Sequence, residues 1–330
     1  RGLIARDFTF EHLRLAAQGL ALTLKSELRR KNSPIHGKRP LVVIGHDTRF
    51  LGRKFALAAA EILQQAGLEP LLTQRDAPTP VIALGIRHKK AIGGVNITAS
   101  HNPFGYSGFK FSMPNGAGAP PEFTGKIEAH AEKLLAKGWQ PKTAVIGTFS
   151  CPEFDPAPAY LRRIRKLIDL RAIGKAKLRI AVELMHGTGR GYLDTLLEEA
   201  GSKVTCFHEN LNPLFGGGSP EPNESGMAEA ARFVRSGQAD LALGLDGDAV
   251  ELQRPIDGFR RKRQQAFLIG EPDQKHVGGD GVAQQRQRQP RGVDEFEPAL
   301  AGGLGQGVAD AFVGESKVGV AGEVGGHGSV

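Results

Sequence analysis

Through its first 250 residues the chain alternates short apolar runs rich in β-branched residues with segments of helical period, a pattern that confines it to α/β architecture. Leu41-Val-Val-Ile-Gly45 reads as a buried strand, and the stretch from Lys54 to Ala66 as the helix that returns from it. Residues 91–98 read as another buried strand, which delivers its C-terminal end to the segment 99–103. Binding sites of open α/β sheets gather at such strand ends. Upstream, Asp7 to Ala16 carries apolar residues at helical spacing, with Thr9 as the expected cap. Between Trp139 and Pro158 the composition turns to Pro, Gly and Thr, which reads as a linker. The alternation resumes with a helix over 160–170 and a strand over 178–183, so two α/β domains are expected, over 1–145 and 155–250.

Past Val250 the pattern stops. A run Gln-Gln-Arg-Gln-Arg-Gln-Pro-Arg gives way to many glycines, and these last residues contain no Asn, Thr, Tyr, Trp, Cys or Met. Weak apolar periodicity offers too little burial to offset the entropy of ordering, so 251–330 is expected to be poorly ordered.

Hydrophobic content of 40% and charged content of 24% are those of a soluble globular protein, and no apolar run is long enough to span a bilayer. No membrane association and a cytoplasmic location are expected. Cys151 and Cys206 lie too far from any companion to suggest a zinc site or a disulfide framework. The net charge of +8 admits two readings. One is a nucleic-acid-binding protein, with the Arg/Gln run as its basic segment. The other is a basic surface that attracts phosphorylated metabolites. Aromatics are only 6% and no recognition motif accompanies the cations, so no nucleic acid is expected as partner. Oligomeric state leaves no trace in the sequence.

Thr98-Ala-Ser-His-Asn-Pro, followed by Gly105-Tyr-Ser-Gly-Phe-Lys110, places a hydroxyl in a short loop after a strand, beside an imidazole, an amide and an ammonium. Such a cluster suits a serine that exchanges a phosphoryl group, with Lys110 offsetting charge on the transferring oxygens. It equally suits a polar loop whose Ser and Asn close a turn. Gly45-His-Asp-Thr-Arg49 offers Asp47 and Arg49 as a charge-assisted pair, either supporting the serine loop or lying on the surface. The strand-like 239–245 ends in Asp246-Gly-Asp248, which suits a turn or an oxygen-seeking cation such as Mg²⁺.

The string from Thr98 to Lys110 is very similar to the phosphoserine signature of the α-D-phosphohexomutases, the phosphoglucomutase/phosphomannomutase family: T-x-S-H-N-P, then Gly-Phe-Lys or Gly-Ile-Lys. Asp47 and Arg49 sit in the family's G-x-D-x-R, and Arg1-Gly matches the end of its G-T-x-G-W-R-G opening. His186-Gly-Thr-Gly resembles its M-H-G-x-G stretch, read as structural support. Phe215-Gly-Gly-Gly-Ser-Pro-Glu-Pro resembles its F-G-G-x-x-P-E-P turn, read as backbone punctuation. The resemblance implies two consecutive phosphohexomutase-type α/β/α domains with mixed sheets, followed by the poorly ordered segment. It makes Ser100 the phosphorylated serine, His101 and Lys110 the candidates for proton transfer and charge stabilisation, and Asn102 a residue that shapes the loop.

The family's metal motif is D-G-D-x-D-R. Asp246 and Asp248 match its first two carboxylates, which with Ser100 would hold Mg²⁺, while Val250 and Glu251 stand where the third Asp and the Arg belong. Glu323 and His327 lie in a string similar to the family's G-E-x-S-G-H sugar-selecting loop. Because resemblance and composition break together after about residue 249, the expectation is a chain incomplete at both ends, with a reading frame that changes near Ala249. The implied activity is interconversion of hexose 1- and 6-phosphates, with a hexose phosphate as substrate and glucose 1,6-bisphosphate, or the matching hexose bisphosphate, as activator. An inactive remnant that at most binds sugar phosphates is the alternative.

Overall fold

The computed structural model describes residues 1–141 and 148–253. The expected domain end at 145, the segment after 253, and with it Glu323 and His327, lie outside the described residues.

A short strand β1 (Gly2–Leu3) leads into α1 (Phe10–Arg29). Thr9 caps that helix, its hydroxyl accepting the His12 amide. There follow β2 (Leu41–His46), α2 (Gly52–Gln65), β3 (Glu69–Thr73), α3 (Thr79–His88) and β4 (Gly93–Ile97). The chain then doubles back through β5 (Tyr106–Ser107) and β6 (Phe109–Ser112) to α4 (Pro121–Ala136). Glu153–Phe154, inside the stretch read as a linker, forms β7 and pairs parallel with β3. Two residues are too few to display a strand period, which is why the sequence hides this element.

The first sheet has the order β6-β4-β2-β3-β7, parallel except for β6. Every residue of β2 is buried, because both faces of the sheet are covered, and its sequence is accordingly a continuous apolar run. Leu20, Phe55 and Ile62 pack with Val42, Ile44 and Val95 in one cluster. Val81 and Ile86 pack with Val43 in another. α4 lies on α1, where a β-carbon at Gly19 would stand 2.7 Å from the Ile127 carbonyl oxygen.

The second domain runs through α5 (Ala157–Leu167), α6 (Leu170–Lys175), β8 (Arg179–Glu183), α7 (Leu193–Glu199) and β9 (Lys203–Phe207). A single 3-10 turn at Phe215–Gly217 precedes α8 (Ala228–Arg235), β10 (Leu241–Leu245) and β11 (Leu252–Gln253). Its sheet, β11-β10-β8-β9, is also mixed, with β11 antiparallel to β10. Ile180, Val182 and Leu197 form one apolar cluster, and Ala181, Ala230 and Ala242 a second. The chain is thus α/β, with two successive α/β/α layers around mixed sheets. Among the described residues, no helix is long and apolar enough to cross a membrane. The carboxyl ends of β4 and β10 point their following loops at each other, and the chemistry-bearing residues meet there.

Candidate active site at a serine and two aspartates

Ser100 follows β4 with φ at 55°, a left-handed conformation uncommon outside glycine and costly unless its surroundings enforce it. Those surroundings are specific. The Ser100 amide donates to Thr98 Oγ1 at 2.9 Å. From the end of β2, the Arg49 guanidinium reaches across the loop: Nη2 donates to the carbonyls of Ser100 and Asn102, and Nη1 to those of Pro103 and Tyr106. Its Nε donates to Asp47 Oδ2 at 2.9 Å, with both side chains fully buried. All five N–H groups of the guanidinium are therefore used. One face of it lies 5.0 Å from the ring centre of Phe215, which belongs to the second domain.

The second domain supplies the carboxylates. Ser100 Oγ lies 3.0 Å from Asp246 Oδ2 and 3.1 Å from Asp248 Oδ1, and both aspartates are completely buried. Asp248 Oδ2 accepts from Thr79 Oγ1 at 2.8 Å, Thr98 Oγ1 at 3.2 Å and Lys110 Nζ at 3.4 Å. Lys110 reaches it from β6, where it pairs across the ladder with Asn96, and Asn96 Nδ2 donates to Thr79 Oγ1. Asp246 Oδ1 accepts the amides of Val250 at 2.8 Å and Glu251 at 2.9 Å.

Two buried carboxylates sharing one hydroxyl differ in acidity. Burial, and after it the Asp248 charge, pushes Asp246 up to about 7. Burial also penalises the charged form of Asp248, but the Lys110 charge and hydrogen bonds from Asp246, Thr79 and Ser100 outweigh it, and its pKa falls below the usual carboxylate value. One hydroxyl proton cannot satisfy both carboxylates. The unmet electrostatic demand, and a donor set made only of oxygens, fit a hard dication such as Mg²⁺ held by Ser100, Asp246 and Asp248. Val250 supplies no further ligand, since its side chain is apolar and 56% exposed.

Of the remaining residues singled out by sequence, Arg1 Nη1 donates to Asn102 Oδ1 at 3.2 Å, joining the N-terminus to the serine loop. His101 lies at the rim of the site, its Nδ1 3.2 Å from Glu251 Oε1. The glycine-rich stretch after β8 backs the aspartate loop, as Thr188 donates its amide to the Gly247 carbonyl and a β-carbon at Gly187 would stand 2.9 Å from that same oxygen. Arg190 then pairs with Asp76 of the first domain at 2.6 Å. Thr79 and Asn96 escaped the sequence reading, because neither belongs to a motif and each acts only through the fold. The turn read as punctuation also does more than turn the chain. Besides Phe215 on Arg49, Ser219 donates its hydroxyl to the His101 carbonyl, and the Phe104 amide donates to Gly218.

Known proteins resemble this chain in sequence and fold. Residues 1–137 match the model of the phosphoglucomutase/phosphomannomutase α/β/α domain I, and residues 158–250 that of domain II. A phosphoglucomutase/phosphomannomutase of Thermococcus kodakarensis is 32% identical over 251 residues, covering 76% of this chain and 52% of the relative. Human phosphoglucomutase-1 is 30% identical over 243 residues, covering 65% of this chain and 43% of its own length. A solved structure from Thermus thermophilus, described as a phosphomannomutase, superposes with a TM-score of 0.67 at 32% identity, over 78% of this chain and 55% of the other. The chain spans about half the length of the curated relatives it matches. With the serine loop in the first matched domain and the aspartate loop in the second, the chain belongs to the phosphoglucomutase/phosphomannomutase family.

Proposed function

We propose that the two described domains carry the phosphoserine and cation machinery of a cytoplasmic phosphohexomutase, which interconverts hexose 1-phosphate and hexose 6-phosphate through a bisphosphate. The observation behind this reading is Ser100 Oγ, held on a strained backbone within 3.1 Å of two buried carboxylates from the other domain.

In this reading Ser100 bears a phosphoryl group. A hydroxyl oxygen of the sugar phosphate attacks phosphorus, the P–Oγ bond breaks and Oγ keeps the electron pair. The hydroxyl proton passes to a base at the cleft, for which His101 is the candidate, while Lys110 pairs with Asp248. The resulting bisphosphate turns over and returns its other phosphoryl group to Ser100 Oγ, which regenerates the enzyme and releases the isomer. Bound at Ser100, Asp246 and Asp248, Mg²⁺ would supply charge neutralisation at the transferring oxygens. The chain's own part is positioning: Arg49 and Thr98 hold the Ser100 backbone, and Lys110 brings a cation to the Asp248 carboxylate beside Oγ.

A coupled assay with glucose 1-phosphate, Mg²⁺ and a trace of glucose 1,6-bisphosphate tests the proposal, together with the mass of the protein after incubation with the bisphosphate. Wild type should gain one phosphoryl group and turn over, and Ser100→Ala should do neither. A folded wild type that takes no phosphoryl group at Ser100 would exclude the mutase reading.

A further inference from the structure

His101, Asp246 and Glu251 each offer a ligand atom, and these three atoms lie within 4.8 Å of one another. The grouping is distinct in chemistry from the Ser100–Asp246–Asp248 set, since it contains an imidazole. The imidazole Nδ1 is shielded from solvent and makes no hydrogen bond, although Glu251 Oε1 stands only 3.2 Å away. The two outer side chains are 39% and 45% exposed, while Asp246 forms a buried floor. The Glu251 amide bonded to Asp246 Oδ1 keeps that carboxylate next to the floor.

We infer that His101, Asp246 and Glu251 form a binding site for a first-row transition-metal dication of the Co²⁺ or Zn²⁺ class. Imidazole nitrogen favours these ions over Mg²⁺, which prefers oxygen and near-ideal octahedral geometry. The site goes beyond the mutase reading and shares only Asp246 with it. A dication there occupies the lone pair of His101 Nδ1 and removes that nitrogen from proton transfer. The same protein would then take Mg²⁺ as helper and a softer ion as inhibitor.

Co²⁺ alone is the probe, because its visible absorption reports ligand type, with Mg²⁺ affinity measured separately by calorimetry on the full chain. Wild type should bind Co²⁺ at least about tenfold more tightly than Mg²⁺. His101→Gln and Glu251→Gln should each weaken Co²⁺ by about tenfold or more and change its spectrum, while leaving Mg²⁺ affinity within about twofold. Asp246→Asn should weaken both ions. Unchanged Co²⁺ affinity and spectrum in His101→Gln would overturn the inference while leaving the Mg²⁺ site standing. Conversely, Co²⁺ bound through His101 with no Mg²⁺ binding would uphold it and count against the mutase reading. No Co²⁺ binding by folded wild type also overturns it.

Discussion

The loop carrying Ser100 is gripped by one guanidinium from outside itself, whereas the loop carrying Asp246 and Asp248 adds to its contacts with both domains a turn closed by its own Asp246 carboxylate. Around Ser100, a guanidinium from another strand end takes four carbonyls and a phenyl ring from the other domain closes over it. Around Asp246, the carboxylate bonds the amides of residues 250 and 251, the Ala249 amide returns to the Asp246 carbonyl, and the chain leaves through a two-residue edge strand. The first arrangement fixes a strained nucleophile. The second fixes two buried oxygens and leaves the following side chains free to vary. Arg49→Met should therefore produce the largest loss in the molecule. It strands Asp47 as a buried unpaired carboxylate and frees the carbonyls, at a cost of about 3–5 kcal/mol. Urea unfolding checks this, and a midpoint within error of wild type would break the contrast.

How much of this was legible follows the same division. Ser100, Lys110, Asp246 and Asp248 stand in compact strings at the ends of strands whose apolar pattern is plain, so both loops were visible as chemistry before their meeting was. Thr79, Asn96 and Phe215 were not, because a threonine opening a helix, an asparagine inside a strand and an aromatic before glycines have ordinary local uses. Only the packing of two domains turns them toward Asp248 and Arg49. Glu251 is a different case. Standing where the family motif has its arginine, it reaches the rim of the site beside His101 and the Asp246 floor. β7 was hidden by its length, and its flanking prolines read as a linker.

Val250→Asp sharpens the comparison from the other side. Position 250 contributes its amide to Asp246 and leaves its side chain 56% exposed, so a new carboxylate there should alter stability by no more than about 0.5 kcal/mol. It adds a full negative charge beside an oxygen donor set, and Mg²⁺ affinity should rise by about tenfold. Calorimetric titration and thermal unfolding of the same preparation separate the two effects. A large stability loss would show that the aspartate loop is as tightly specified as the serine loop.

The smallest expected effect separates the serine domain from the aspartate domain by pH. His46 ends β2 beside Asp47, is 6% exposed, and its Nδ1 contacts the Asp47 carbonyl oxygen at 2.7 Å while Nε2 has no partner. Burial lowers its pKa, so the folded chain resists a proton that the unfolded chain accepts near pH 6.5. Below that pH the unfolded state binds more protons than the folded state, and stability must fall as the medium becomes more acidic. The loss runs from about pH 6.5 down to the lowered folded value and is absent above it. Urea midpoints at pH 7 and pH 5.5 should differ more for wild type than for His46→Gln, whatever constant offset the substitution introduces. Equal differences would mean that protonation of His46 is not what the serine domain resists, and that its grip on Ser100 is indifferent to acid in this range.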